Sequence, residues 1–368
     1  MPAKATLLIL LLLAFTSKGC IFSKRSKTRI HRSDDECVCA TPIRYNPLTD
    51  TNITVDPHCD CRSTGFGIVQ IIPYGTCIAD ACGTIHIDLS SACVRCAMCM
   101  AIAEKALYGM ILIGGIGVTA GAHRLWTHKA YKAKWQLRII LVVLYASTGM
   151  NDIFEWVRDH RVHHKYTDTD ADPHNSNRGF FFSHVGWLMM KKHPDVIRKG
   201  RHVDMSDILA DPIAAFSVKY FLILKIIFTF LLPVMLPVYG WNETWYRAFV
   251  SQIILRYVLL LNFIWCVNSV AHIWGSRPYD AHINPTENQW VNFVAAGEGS
   301  HNYHHVFPWD YKTSEFCNST TTDFINFFAK IGWAYDLKEP SQELVKIVAI
   351  KKGDGSHPLW NAMPYPAS

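Results

Sequence analysis

Three apolar blocks set the first limit on the fold of this chain, because each is long enough to cross a lipid bilayer. They are residues 98–120 ("MCMAIAEKALYGMILIGGIGVTA"), 217–239 ("SVKYFLILKIIFTFLLPVMLPVY") and 249–274 ("FVSQIILRYVLLLNFIWCVNSVAHIW"). A crossing takes about 20 mainly apolar residues wound as a helix, which satisfies its own backbone where water cannot. Lys219 and Arg256 stand close enough to block ends to reach the interface, whereas Lys225 has no such exit. A fourth block, 136–150 ("QLRIILVVLYASTGM"), is too short to cross and carries Arg138, so it reads as an interfacial or buried helix. Hydrophobic residues reach 50% and charged ones only 18%, gathered in blocks. That distribution fits one membrane domain with an appendage better than two soluble domains. The expected fold class is an all-α integral membrane protein, a helical transmembrane bundle.

Orientation follows from the basic residues. The net charge of +6 is a mild excess, and no nucleic-acid partner is expected from it. Lys and Arg crowd into 124–138 and 158–201, between the blocks. The positive-inside rule then puts 121–216 and everything after 274 in the cytosol, with 240–248 as a short lumenal turn. The N-terminal stretch differs in kind. Residues 1–19, with Lys4 ahead of "ATLLILLLLAF", form a signal-peptide-like or anchor segment. Residues 20–99 hold ten of the twelve cysteines, including Cys37/Cys39, Cys59/Cys61 and Cys93/Cys96. The segment 20–96 therefore reads as a lumenal, disulfide-bearing addition, with "NIT" at Asn52 as a glycan-acceptor pattern. Zinc is the weaker reading, since no pair-of-pairs spacing is present.

The histidines carry the chemistry. "DHRVHHKYTD" places His160, His163 and His164 on one helix face, and "GEGSHNYHHVFPWDY" repeats the spacing with His301, His304 and His305. "GAHRLWTHKAY" offers His123 and His128, five residues apart, a spacing expected at a helix end where the backbone can turn. His272, in "NSVAHIWG" at the cytosolic end of the last block, sits level with these boxes and serves as a ninth ligand; Asn268, a turn earlier, suits a water-holding role. Nine imidazoles exceed a single zinc site, and two metals with four or five ligands each fit the count. Imidazole alone does not choose among iron, copper, nickel and zinc. A substrate lying in a bilayer is an acyl chain without an activated carbon, so a redox metal with O2 is required, and two irons are the expected cofactors. Glu298 and His301 also form a Glu-x-x-His, a motif that soluble di-iron bundles use in duplicate; with one copy present, Glu298 is expected behind the ligands at most.

The boxes "HRLWTH", "HRVHH" and "HNYHH", with "EWVRDH", "ADPHNSNRGFFFSHVGWL", "NSVAH" and "GEGSHNYHHVFP" around them, resemble a membrane acyl-CoA desaturase of the stearoyl-CoA type. The resemblance covers roughly 98–355. It implies a helical membrane bundle of the endoplasmic reticulum, multi-pass, whose cytosolic helical cap holds a histidine-rich dimetal site. It implies two iron ions, O2 as co-substrate, a fatty acyl-CoA substrate and membrane lipid around it. Cytochrome b5 and its NADH-dependent reductase would supply electrons, and the product would be a cis double bond, delta-9. By position the ligands are His123, His128, His160, His163, His164, His272, His301, His304 and His305, with Asn268 acting through water. Trp156 and Trp265 match tunnel or gate aromatics, for which ordinary core packing is an equal alternative. Asn151, Arg158, Asp159, Lys191 and Lys192 occupy coenzyme A positions, although the lysines also serve the positive-inside charge. Lys191 stands where the family commonly has arginine, giving a point charge for a planar fork. Ile111 falls at the tunnel floor, where its modest size would admit longer chains.

The expected domains are thus 1–19, 20–96, a desaturase domain at 97–355, and a tail at 356–368. One departure lies upstream: nothing in 20–96 is apolar enough to be the family's first spanning helix. A histidine-box hydroxylase is the alternative enzyme. An impaired desaturase-like protein that works through its cysteine-rich ectodomain is the alternative from another class. "KKHPDV" lacks the glycines of a fused cytochrome b5, so the donor is expected as a separate protein.

Overall fold

The computed structural model describes residues 107–316 and 319–360. The signal-like run, the cysteine-rich segment with Asn52, and the start of the block 98–120 lie outside the described residues, as does 361–368. What is described is mostly helical. The sole two-stranded sheet among the described residues pairs Lys132–Ala133 with Ala334–Tyr335, antiparallel, Lys132 opposite Tyr335, and isolated bridges join Glu287 to Ser276 and Ser300.

Helix α1 (residues 107–127) continues the first block past its expected end and is wound as a π-helix over Gly117–Thr127, every residue of which is buried. Glycine at 117 allows α2 (Trp135–Ala146) to lie directly against it: a Cβ there would meet the backbone carbon of Leu144 at 2.3 Å. Helix α2 is the short fourth block. It buries Leu137, Leu141 and Leu144, one helical face, and leaves Trp135 and Ile139 exposed on the other. A turn through Gly149, held at φ 69°, leads into α3 (Ile153–Tyr166). Asp152 caps α3, its carboxylate accepting the N–H of Glu155 at 2.9 Å.

Helices α4 (Phe221–Trp241) and α5 (Trp245–Ile273) are the two among the described residues that are long and apolar enough to cross a membrane. They match the blocks 217–239 and 249–274. Their large apolar side chains point outward, as Leu222, Leu231 and Met235 do on α4 and Phe249, Ile254 and Val258 on α5. The core helices of a water-soluble protein would turn such a face inward.

Arg256 corrects an expectation. It does not reach for the interface; it is fully buried near the middle of α5. Its Nε donates to the carbonyl of Gln252 at 3.0 Å, Nη1 to that of Ser147 at 2.9 Å and Nη2 to that of Thr229 at 2.5 Å. Those three acceptors outcompete a longer path to water. Lys225 also finds a carbonyl, that of Met150, 3.5 Å from its Nζ.

Beyond α5 the chain folds into short helices. Helix α6 (His301–Val306) and α7 (Gln342–Lys352) share a small core of Tyr279, Tyr303, Phe307, Val345 and Ala349. His357 and Trp360, within the expected tail, pack here too. Their rings stack at 4.4 Å, and His357 Nε2 lies 3.0 Å from Glu315, which also accepts from the Tyr279 hydroxyl at 2.8 Å.

Candidate metal centre

The ends of α1 and α5 and the lengths of α3 and α6 bring nine imidazoles together. At the end of α1 the N–H of His128 closes on the carbonyl of His123 at 3.1 Å, an i to i+5 bond. That winding puts two residues five apart onto one face, which an α-helix would not do. Their rings stand 4.8 Å apart. On α3 and α6 the ordinary three-and-four spacing achieves the same, and α5 delivers His272, 2% exposed.

The rings divide into two groups. His123, His128, His160, His164 and His304 form one, and His163, His272, His301 and His305 the other; within each, the ligand nitrogens lie within 4.8 Å of one another. In the first group Nε2 of His304 is 2.9 Å from that of His123 and 3.1 Å from that of His164, itself 3.1 Å from His160. In the second, Nε2 of His301 is 3.0 Å from His272 and 3.1 Å from His305.

Hydrogen bonding alone does not account for these approaches. His123 turns Nδ1 to Glu298 at 3.1 Å, His163 to Asp172 at 2.9 Å and His272 to Asp168 at 3.2 Å. Each carboxylate fixes the ring proton on Nδ1 and leaves Nε2 a bare lone pair. Nε2 of His304, within reach of both His123 and His164, carries at most one proton and can donate to only one of them, so some lone pairs here face one another and repel unless a cation sits among them. His128 Nε2 is buried and has no hydrogen-bond partner among the described residues. Two nitrogens held about 2.1 Å from one metal at a right angle stand about 3 Å apart, which is the spacing seen. The donor set therefore fits two first-row metal ions.

Electrostatics agree. Burial, followed by the neighbouring histidines, holds His128, His160, His164, His301, His304 and His305 well below the usual imidazole range. That direction favours the neutral ring, the form that binds metal. Burial would raise Glu298, yet Arg124 and His123 overcome it and hold the carboxyl down at about 2. Asp172 is likewise lowered, His163 and His174 outweighing its burial. The trio His163, Asp172 and His174 could by distance hold an ion of its own. Because Asp172 already takes the Nδ1 proton of His163, it is better read as the support of that ligand.

A model of the family described as fatty acid desaturase matches residues 98–313. An acyl-CoA Delta-9 desaturase of Acheta domesticus is 55% identical over 69% of this chain and 72% of its own. This chain belongs to the fatty acid desaturase family. Other relatives include an acyl-CoA Delta(11) desaturase of Spodoptera littoralis, 52% identical over 68% of this chain and 75% of its own. A stearoyl-CoA desaturase 5 of Bos taurus is 51% identical, again over 68% and 75%.

In this desaturase the expected substrate residues other than Trp265 lie on and beside α3. Trp156 stacks on His160 at 4.9 Å and meets Tyr145 edge-on at 6.5 Å. Arg158 pairs with Asp159 at 3.0 Å and Glu155 at 3.2 Å, while Lys192 bridges to Glu155 at 3.0 Å and Asp159 at 2.5 Å. Lys191 is exposed. Asn151 begins the approach to α3, its carbonyl accepting from Tyr145 at 2.6 Å. Trp265, on α5, packs edge-on to His184 at 5.9 Å, and its buried Nε1 has no partner among the described residues. Asn268 is half-buried a turn before His272, and Ile111 is buried on α1.

Sequence reading placed Glu298 behind the ligands, as found, but missed the other supports. Asp168 and Asp172 sit in "YTDTDADPH", which looks like a solvated loop. Arg124, inside box one, is fully buried and spans Glu298 at 2.7 Å, Thr313 at 2.7 Å and the Tyr311 carbonyl at 2.9 Å. An arginine set between two candidate ligands, directly after His123, was the available signal.

Proposed function

We propose that this fatty acid desaturase introduces a cis double bond, delta-9, into a saturated fatty acyl-CoA. It would use two irons, O2, and electrons passed from an NADH-dependent reductase through cytochrome b5. The setting is the endoplasmic reticulum membrane, crossed several times by a helical bundle whose cytosolic cap carries the metals. The outward apolar faces of α4 and α5 support that setting. The observation that carries the reading is the convergence of nine imidazoles, six buried and three half-buried, into two groups, each backed by at least one carboxylate.

Irons held there would supply the oxidising power to take two hydrogens from neighbouring methylenes, and those two hydrogens together with two electrons and two protons from outside would reduce O2 to two waters. The side chains do the rest. Glu298, Asp168 and Asp172 fix ring orientation, so that the lone pairs stay aimed without rearrangement. Trp156, against His160, gives the chain a flat wall beside the metals. Arg158 and Lys192 would exchange Glu155 and Asp159 for the phosphates of coenzyme A, so the anionic handle competes with carboxylates already in place. Holding one methylene pair near the metals is what sets the position of the double bond.

The test is expression of the full chain in desaturase-deficient yeast, with gas chromatography of the fatty acids. New cis-monoenes are expected, and His164→Ala should abolish them. A hydroxy product would establish the hydroxylase instead. An adequately expressed protein with normal iron and no new unsaturated product overturns the reading.

A further inference from the structure

The turn joining α2 to α3, residues 146–151, lies against the middle of α4 and α5, not in the cap. A Cβ at Gly149 would strike Tyr257 of α5 at 2.6 Å and Thr229 of α4 at 2.7 Å. Backbone that leaves a helix at membrane depth needs a protein partner for every exposed carbonyl. Here the partners come from the two long helices. Thr229 Oγ1 donates to the carbonyl of Ala146 at 2.6 Å, Arg256 Nη1 to that of Ser147 at 2.9 Å, and Lys225 Nζ reaches that of Met150 at 3.5 Å. Tyr145 supplies another, donating to the carbonyl of Asn151. Arg256 does double duty. Pro233 has no N–H to offer the carbonyl of Thr229 one turn earlier, and Arg256 Nη2 takes that carbonyl instead. Among the described residues no ion pair involves Arg256, although a buried cation ordinarily needs one. Its compensation is three carbonyls, one of them at the negative end of α2.

What hangs from this turn matters for selectivity. Met150 and Ile153 line an apolar crevice with Tyr145 and Phe221, and Tyr145 links it to Trp156, which stacks on His160. The upper part of α3 is anchored separately, by Arg161 on Asp207 at 2.7 Å and by His163 on Asp172. Loosening the turn would therefore shift the wall beneath the metals and leave the ligands in place.

We propose that Arg256, assisted by Thr229, is a positioning residue that fixes the turn 146–151 and thereby sets which methylene pair of the acyl chain lies at the metals. This rests on the desaturase reading. Arginine suits the task because its planar fork meets three carbonyls at once, which a lysine cannot do.

The test uses the full chain as wild type, Arg256→Met, Arg256→Lys and Thr229→Val, with two measurements. Mass spectrometry of the monoenes gives the ratio of the principal positional isomer to its neighbours, alongside iron per chain. Arg256→Met should lower that ratio by about tenfold with iron unchanged, since misplacement by about 1 Å is felt strongly at a reacting centre. Thr229→Val should lower it by about threefold, in line with loss of one net hydrogen bond. Arg256→Lys should fall between wild type and Arg256→Met. Hydrogen exchange of the purified proteins gives a second readout that needs no turnover: faster exchange across 144–156 and none added across 299–307. Should Arg256→Met fail to accumulate, the other two variants decide. An unchanged isomer ratio in an active protein overturns the proposal, as does exchange that is unchanged or raised everywhere alike. A wild type that makes no monoene overturns the functional reading alone, and exchange then decides the role of Arg256.

Discussion

His163 shows what can and cannot be read at the scale of one residue. Its place in a three-and-four cluster marks it as a candidate ligand from sequence alone, and its ring joins one of the two groups that could hold a metal. Its dependence on Asp172 does not show, because an aspartate in a polar loop carries no cue that it is buried. Both oxygens of Asp172 stand 2.9 Å from His163 Nδ1, and it also accepts the N–H groups of Asp168 and His174. Asp172→Ala should therefore weaken retention of one iron by about 10–100-fold while the other stays, measured as iron per chain across a chelator titration. Asp172→Asn keeps the shape and should lose less. Glu287 offers a different check. Burial pushes it up to about 7 despite the N–H of Tyr303 donating to it at 2.9 Å. An unfolded glutamate loses its proton near pH 4.5, so the folded state holds the extra proton between there and about 7. Its contribution is full below that window and is lost as pH rises through it, by up to about 1 kcal/mol per unit. Melting profiles of Glu287→Gln in detergent should be flatter than wild type over that range.

At the scale of elements, the lengths of apolar blocks located α2, α4 and α5 and histidine spacing located α3, and the fourth block is the short helix it was expected to be. The winding of α1 was harder to foresee. Five-residue spacing pointed to a helix end for His123 and His128, yet nothing local announced a π-helix from Gly117 onward. That geometry follows from tertiary contact: α1 must lie against α2 closely enough that Gly117 touches its backbone. Gly117→Ala should force the helices apart and cost about 1–3 kcal/mol of stability, seen as a lower melting temperature. Loss of the His123 and His128 pairing should follow, with less iron bound. Arg256 was misplaced for a related reason. Distance along a helix to its end is legible; the carbonyls that a proline and a turn leave unpaired in two other segments are not.

At the scale of the molecule, the sequence indicated a helical protein whose histidines gather from separate stretches, and they do gather. It did not indicate how they would be shared, five in one group and four in the other, because that division depends on which rings of α3 and α6 face each other. The small core around Tyr279 went unseen as well. His357 and Trp360 looked like the start of a tail. Instead His357 Nδ1 accepts the N–H groups of Leu359 and Trp360, each at 3.2 Å, and its stack with Trp360 closes over Tyr279, the neighbour of Tyr303 on α6. The C-terminal stretch through residue 360 is thus a keystone and not a loose thread. Shortening the protein at 355 should let the third box drift and shed iron during purification, so a fusion partner or affinity handle belongs downstream of Trp360.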